Sequence, residues 1–129
     1  MKKILIVDDD ADFLLAYLIR LKHEGYSTSI AQDGKHAISA AEEDRPDLIL
    51  LDIGMPGKNG MVVLNDLMKD LKTASIPVIV VTGRDPALVK DLTLELGAVA
   101  FCQKPVDNNV LLGLIREHTG EDASQPKAE

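Results

Sequence analysis

Five polar residues stand at the ends of apolar runs in this chain. Asp8 and Asp9 follow residues 4–7, Asp52 follows Leu48–Leu51, Thr82 follows residues 76–81, and Lys104 follows residues 99–103. If those runs are parallel strands, all five land at the C-terminal edge of one sheet, where the departing loops open a crevice for ligands. Three carboxylates gathered there repel one another, so either one keeps its proton or a cation sits among them. A hard divalent ion with oxygen ligands suits that set, Mg²⁺ above all, or Mn²⁺. A lysine and a threonine add a point charge and a hydroxyl, both donors suited to phosphoryl oxygens. A carboxylate nucleophile, a metal and two such donors make a site for phosphoryl transfer onto Asp52.

The elements that must position these residues can be read from pattern. Residues 4–7, Ile-Leu-Ile-Val, form a continuous β-rich run of the kind buried on both faces, which predicts a central strand of a parallel sheet. Asp10 then caps a helix over residues 11 to about 24, stopped by Gly25. Phe13, Leu14, Tyr17, Leu18 and Leu21 share its apolar stripe, while Leu15 and Ile19 form an i, i+4 pair outside it. Residues 26–31 alternate loosely and predict a half-exposed edge strand. Asp33-Gly34 opens a second helix that ends near Glu43, and Arg45-Pro46 closes it before the run at Leu48. Met55-Pro56-Gly57 and Asn59-Gly60 forbid an immediate return to regular structure after Asp52. Further helices are expected over residues 60–71, 86–96 and 107–118, with strands at 76–81 and 99–103; Pro86 is acceptable in a first turn and Gly97 is a stop. The repeat is βα five times, which the right-handed crossover rule folds into a parallel α/β sheet with helices on both faces.

Composition sets the limits. At 129 residues the chain is one domain by length, and its 46% hydrophobic content with only 3% aromatics calls for an aliphatic core. A net charge of −7 argues against direct contact with nucleic acid or an anionic membrane and for a cation or basic partner. A single cysteine, Cys102, cannot form an internal disulfide, and nothing argues for an oxidising compartment. The apolar run after Met1-Lys2-Lys3 stops at Asp8, too short for an export signal or a membrane span, so a cytoplasmic location is expected. Residues 120–129 are polar and aperiodic and are expected to be disordered or to begin a linker.

With these residues in hand, the chain resembles the receiver domain of bacterial two-component response regulators, including chemotaxis regulators, over residues 3–119. The resemblance rests on the Asp8-Asp9 pair, the DIGMPGKNG segment at Asp52, the VTG at Thr82, the aromatic Phe101, and Lys104-Pro105. It implies a flavodoxin-like three-layer (βα)5 sandwich with strand order 2-1-3-4-5. It implies that Asp52 is the phosphoacceptor, receiving its phosphoryl group from a sensor histidine kinase or phosphotransfer protein. Asp9, Asp52 and the backbone carbonyl of Gly54 would bind the metal, and Asp8 would hold a water of its shell. Lys104 would pair with the phosphate, Thr82 would turn its hydroxyl towards it, and Phe101 would swing inward. The Lys104-Pro105 peptide would be cis. An output partner or fused effector domain would read the change on the face of helix four, strand five and helix five. Gly54 and Arg84 occupy positions that tune the lifetime of the phosphorylated state in this family, so an altered dephosphorylation rate is expected.

Rival readings are weaker. A haloacid-dehalogenase-type phosphatase needs a second Asp two positions after the nucleophile, where this chain has Gly54. A receiver-like interaction module that is never phosphorylated typically loses an acidic or lysine position, and none is lost here. Gly54, Gly57 and Gly60 do not form a P-loop, because Lys58 is followed by Asn59. His23, His36 and His118 lack metal-ligand spacing and are expected on the surface, and Cys102 is expected as a small apolar filler. Leu15 and Ile19, with Leu14 and Leu18 turned partly outward, are expected to form a docking surface for the kinase or for a second copy of the chain, as a homodimer. The tail is too short for an output domain, which leaves a stand-alone receiver or the N-terminal part of a longer regulator.

Overall fold

A computed structural model of the chain describes residues 1–54 and 60–120. The expectations for the loop at Met55–Asn59 and for the tail beyond Gly120 lie outside the described residues. Strands β1 (Lys3–Val7), β2 (Ser27–Ala31), β3 (Leu48–Leu51), β4 (Val78–Thr82) and β5 (Ala100–Gln103) alternate with helices α1 (Ala11–His23), α2 (Gly34–Asp44), α3 (Gly60–Lys69), α4 (Pro86–Glu95) and α5 (Asn108–His118). The strands are parallel and lie in the order β2-β1-β3-β4-β5, the flavodoxin-like α/β arrangement expected from the sequence.

Alternation along the strands sends successive side chains to opposite faces, and each face has its own aliphatic core. Leu5, Val7, Ile49, Leu51, Val78 and Val80 pack beneath α2, α3 and α4, meeting Ala37, Ala41, Val63, Leu64 and Leu67. Ile4, Ile6, Leu48, Leu50, Ile79 and Val81 point the other way, towards Leu14, Tyr17 and Leu21 of α1 and Leu111, Leu112 and Ile115 of α5. Each fully buried Leu, Ile or Val contributes about 1.5–3 kcal/mol by leaving water. The continuous apolar runs therefore belong to strands covered on both sides.

Several element ends differ from the sequence expectation, those of β4 and α3 for local reasons. β4 starts at Val78 rather than at residue 76, because the Ile76 amide donates to the Thr73 carbonyl (3.0 Å) in a turn and Pro77 has no N–H to give a ladder. Its far end takes in Thr82, which pairs with Gln103. α3 stops at Lys69 because the buried Thr73 hydroxyl donates to the Leu67 carbonyl (2.7 Å) and closes the helix end.

The expectation that Leu14 turns outward is corrected: it is only 2% exposed, in the α1–sheet core. The inward stripe is Leu14, Tyr17 and Leu21, with Phe13 and Leu18 half-buried beside it. Leu15 and Ile19 do stand clear, 57% and 61% exposed. His118 is half-buried rather than on the surface, while His23 and His36 are exposed.

Candidate phosphoryl site

Strand register brings the five polar residues together. Val7 lies opposite Leu51, so Asp8 and Asp52 leave the sheet side by side; the Asp8 amide donates to the Ala31 carbonyl (3.1 Å) and the Asp52 amide to the Val7 carbonyl (2.9 Å). Leu51 lies opposite Val80, and the Lys104 amide donates to the Thr82 carbonyl (2.8 Å), which extends the ladder to the last two members. α1 is started by Asp10, whose carboxylate accepts from the amides of Asp12 and Phe13. The Asp10 amide in turn donates to Asp8 Oδ1 (2.9 Å), so the cap and the acidic pair share one turn.

Gly60 holds the far side. A Cβ there would come within 2.2 Å of the Ile53 Cα, so only glycine lets the first turn of α3 pack against the backbone immediately after Asp52.

Asp8 is 1% exposed, Asp52 is 8% exposed, and Asp9 is open to solvent. One carboxylate oxygen from each lies within 4.8 Å of the other two. Asp52 Oδ1 accepts from the Gly54 amide (2.9 Å), and its Oδ2 lies 3.6 Å from Lys104 Nζ. Lys104 Nζ sits closer to Asp8 Oδ2, at 2.5 Å. Burial pushes Asp8 above the usual carboxylate range, further than its hydrogen bonds from Lys104 and Asp10 pull it back, and the Asp52 charge adds to the rise. For Lys104 burial acts downward, but the hydrogen bond and charge of Asp8, with Asp52 and Asp10, outweigh it and leave the ammonium above the ordinary lysine value. The lysine is thus held as a cation. The donor set is all carboxylate oxygen with one member open to water, which fits a hard divalent cation.

Thr82 is buried, and its Oγ1 accepts from the Arg84 amide (3.3 Å), leaving its own proton to donate. A Cβ at Gly54 would meet Arg84 Nε and Asp52 Oδ1 at 3.5 Å and Thr82 Oγ1 at 3.8 Å, ordinary contacts, so a side chain there would stand between Arg84 and the carboxylate. Phe101 is half-buried against the core beneath α4, opposite Val80. The Lys104–Pro105 peptide is cis. Cys102 is buried, and burial pushes its thiol up, away from the reactive thiolate.

One neighbour of the site was read from sequence only as core. Lys104 Nζ lies 4.1 Å from the centroid of the Phe13 ring. Phe13 stacks in a tilted pair with Tyr17, centroids 4.6 Å apart, and the Tyr17 hydroxyl donates to Asn108 Oδ1 (2.5 Å) at the start of α5. The signal available in the sequence was an aromatic one helical turn beyond Asp9.

A family model described as the response regulator receiver domain matches residues 4–116. The chain belongs to this family. Receiver domains are the signalling phosphoacceptors of two-component systems, and the pocket of Asp8, Asp9 and Asp52 fits their phosphorylation site. Among solved structures this receiver is similar to a CheY-like response regulator receiver domain protein from Methanospirillum hungatei, at 32% identity and a TM-score of 0.87 over 93% of this chain and 94% of that one. It is similar to the BeF3-activated N-terminal receiver domain of RstA from Klebsiella pneumoniae, at 31% identity and a TM-score of 0.83 over 91% and 97% of the two chains. It is also similar to the receiver domain of the sensor histidine kinase PA1611 from Pseudomonas aeruginosa, which holds a magnesium ion in its active-site cleft; identity is 25% and the TM-score 0.83 over 93% and 98%.

Proposed function

We propose that Asp52 is the phosphoacceptor of this receiver. One of its carboxylate oxygens attacks the phosphorus of a phosphohistidine on a sensor histidine kinase or phosphotransfer protein. An O–P bond forms as the N–P bond breaks, and the departing imidazole takes a proton from solvent. The observation that carries this reading is the setting of Asp52: nearly buried at a strand end, with one oxygen tied to the Gly54 amide and the other facing Lys104. Asp9, Asp52 and the Gly54 carbonyl would hold Mg²⁺, or Mn²⁺, with Asp8 on a water of its shell, and the bound ion would neutralise charge on the phosphoryl oxygens. Lys104 would move from Asp8 towards the phosphoryl group, and Thr82 would turn its free proton to the same group. Phe101 would follow Thr82 inward. The chemistry stays on the receiver's own Asp52, gained and lost again, rather than turning over a separate substrate.

The output is a population shift, since only the phosphorylated state rewards the grip of Thr82 and Lys104. Swinging from mostly off to mostly on needs about 5.5 kcal/mol of differential stabilisation, and half that gives a graded response. The reporting face is α4, β5 and α5, where Leu88, Leu92 and Val110 are exposed and available to an output partner or a fused effector domain. The phosphoryl donor docks over the exposed Leu15 and Ile19 of α1. The work is cytoplasmic, in keeping with the free thiol of Cys102.

Incubation with acetyl phosphate and Mg²⁺, followed by intact mass, tests the assignment. A single phosphoryl adduct is expected on the parent and none on Asp52→Asn. An equal adduct on the variant, or none on the parent, overturns it.

A further inference from the structure

The phosphoryl site has a neighbour with no part in the reading above. The Lys104 ammonium is held on three sides: by Asp8 Oδ2 at 2.5 Å, by Asp52 Oδ2 at 3.6 Å, and by the face of Phe13 at 4.1 Å from the ring centroid. A ring face attracts a cation through its quadrupole, and more strongly where water is excluded. Phe13 is itself braced. It stacks on Tyr17, which is buried and hydrogen-bonded through its hydroxyl to Asn108 of α5. Farther along, Arg116 of α5 bonds Glu24 at the end of α1 (2.9 Å), so α5 is clipped near its two ends to the middle and the end of α1.

We propose that Phe13 is a positioning residue for Lys104: its ring shields the ammonium from water and holds it between Asp8 and Asp52, and Tyr17 with Asn108 keeps the ring in place. The proposal rests on Lys104 serving the phosphoryl group as described above. A shielded ammonium interacts more strongly with incoming phosphoryl oxygens than a hydrated one, because less solvent screens the pair. Removing the ring while keeping apolar bulk admits water beside Nζ and lets it wander. Phosphorylation then slows.

The test compares the parent with Phe13→Leu, Phe13→Tyr and Asp52→Asn, each incubated with acetyl phosphate and Mg²⁺ and followed by intact mass over time. Phe13→Leu is expected to slow adduct formation about 3- to 10-fold, the range of a partly shielded cation–π contact. Phe13→Tyr, which keeps the ring face, is expected to restore the parental rate. Side-chain NMR of Lys104 supplies two further readouts, the exchange of its ammonium protons with water and the ring contact itself. Exchange is expected to be faster in Phe13→Leu than in the parent or Phe13→Tyr, because the ring no longer shields Nζ. The Lys104 ε-protons should be shifted upfield by the ring in the parent and in Phe13→Tyr, and return to ordinary values in Phe13→Leu. A parental or faster rate in Phe13→Leu, a Phe13→Tyr variant as slow as Phe13→Leu, or Lys104 protons unshifted in the parent would each overturn the positioning role. Failure of the parent to form an adduct, or an adduct on Asp52→Asn, would instead overturn the phosphoacceptor reading beneath it.

Discussion

At the scale of single residues, the site is a contest among charges settled by burial. Asp8 would be an ordinary carboxylate in water; behind the sheet edge it is pushed up, and the Lys104 ammonium is what makes its ionised form tolerable there. Asp52 has one oxygen engaged by the Gly54 amide and turns the other towards Lys104, 3.6 Å away. Gly54 and Arg84 lie on the Oδ1 side of that carboxylate, and a side chain at position 54 fits by ordinary contact beside Asp52 and Thr82. Gly54→Asn and Arg84→Glu are therefore expected to change the lifetime of the aspartyl phosphate without blocking its formation. A decay time course after removal of the phosphodonor checks this, and parental lifetimes in both variants would contradict it. Asp8, Asp9, Asp52, Thr82 and Lys104 were legible in the sequence because each ends an apolar run. Phe13 was not, because its partner lies 91 residues away in Lys104 and only the fold brings the two together.

At the scale of elements, helix starts show how local chemistry fixes the frame. Asp33 caps α2: its carboxylate accepts the His36 amide (2.8 Å) and faces His36 Nδ1 (2.7 Å). The amide bond first, and then the histidine side chain, hold the Asp33 carboxyl below its ordinary value of 3.8. A carboxylate whose folded pKa is depressed adds stability that is complete above the unfolded value and lost as pH falls through the folded one. Asp33→Asn keeps an acceptor that does not titrate. The parent is thus expected to be the more stable of the two at neutral pH, and the gap in urea midpoint to shrink as pH falls below about 3.8. A gap independent of pH would contradict the ionised cap. Caps of this kind, Asp10 and Asp33, were legible because Asp before an apolar period is a local signal. The start of β4 was not, since the turn between Thr73 and Ile76 depends on hydrogen bonds that α3 and Thr73 make only when packed. Leu14 and Leu15 are adjacent and equally apolar, and the helical period told them apart, setting Leu14 with Tyr17 and Leu21 and Leu15 with Ile19; how fully Leu14 is withdrawn depends on how α1 packs on the sheet.

At the scale of the whole molecule, five βα units bring the strand-end polar side chains to one edge and leave, among the exposed apolar residues, Leu15 with Ile19 on α1 and Leu88 with Leu92 on α4. The strand order was legible through the family resemblance, and the parallel sheet through the doubly buried runs alone. The exposed α1 pair carries a prediction at this scale. Leu15→Glu combined with Ile19→Lys is expected to change folding stability by less than about 0.5 kcal/mol, because neither side chain is in a core. It is expected to slow phosphotransfer from the cognate kinase while leaving the rate with acetyl phosphate unchanged. Equal slowing with both donors would contradict docking at this surface. The central claim is that Asp52 alone among the clustered carboxylates carries the signal. Borohydride reduction of the phosphorylated chain, followed by peptide mass mapping, tests it most directly, since hydride converts an aspartyl phosphate to homoserine at the modified residue. Homoserine at position 52 and at neither Asp8 nor Asp9 is the predicted result; homoserine at position 8 or 9, or at no position of a chain that carries phosphate, would contradict it.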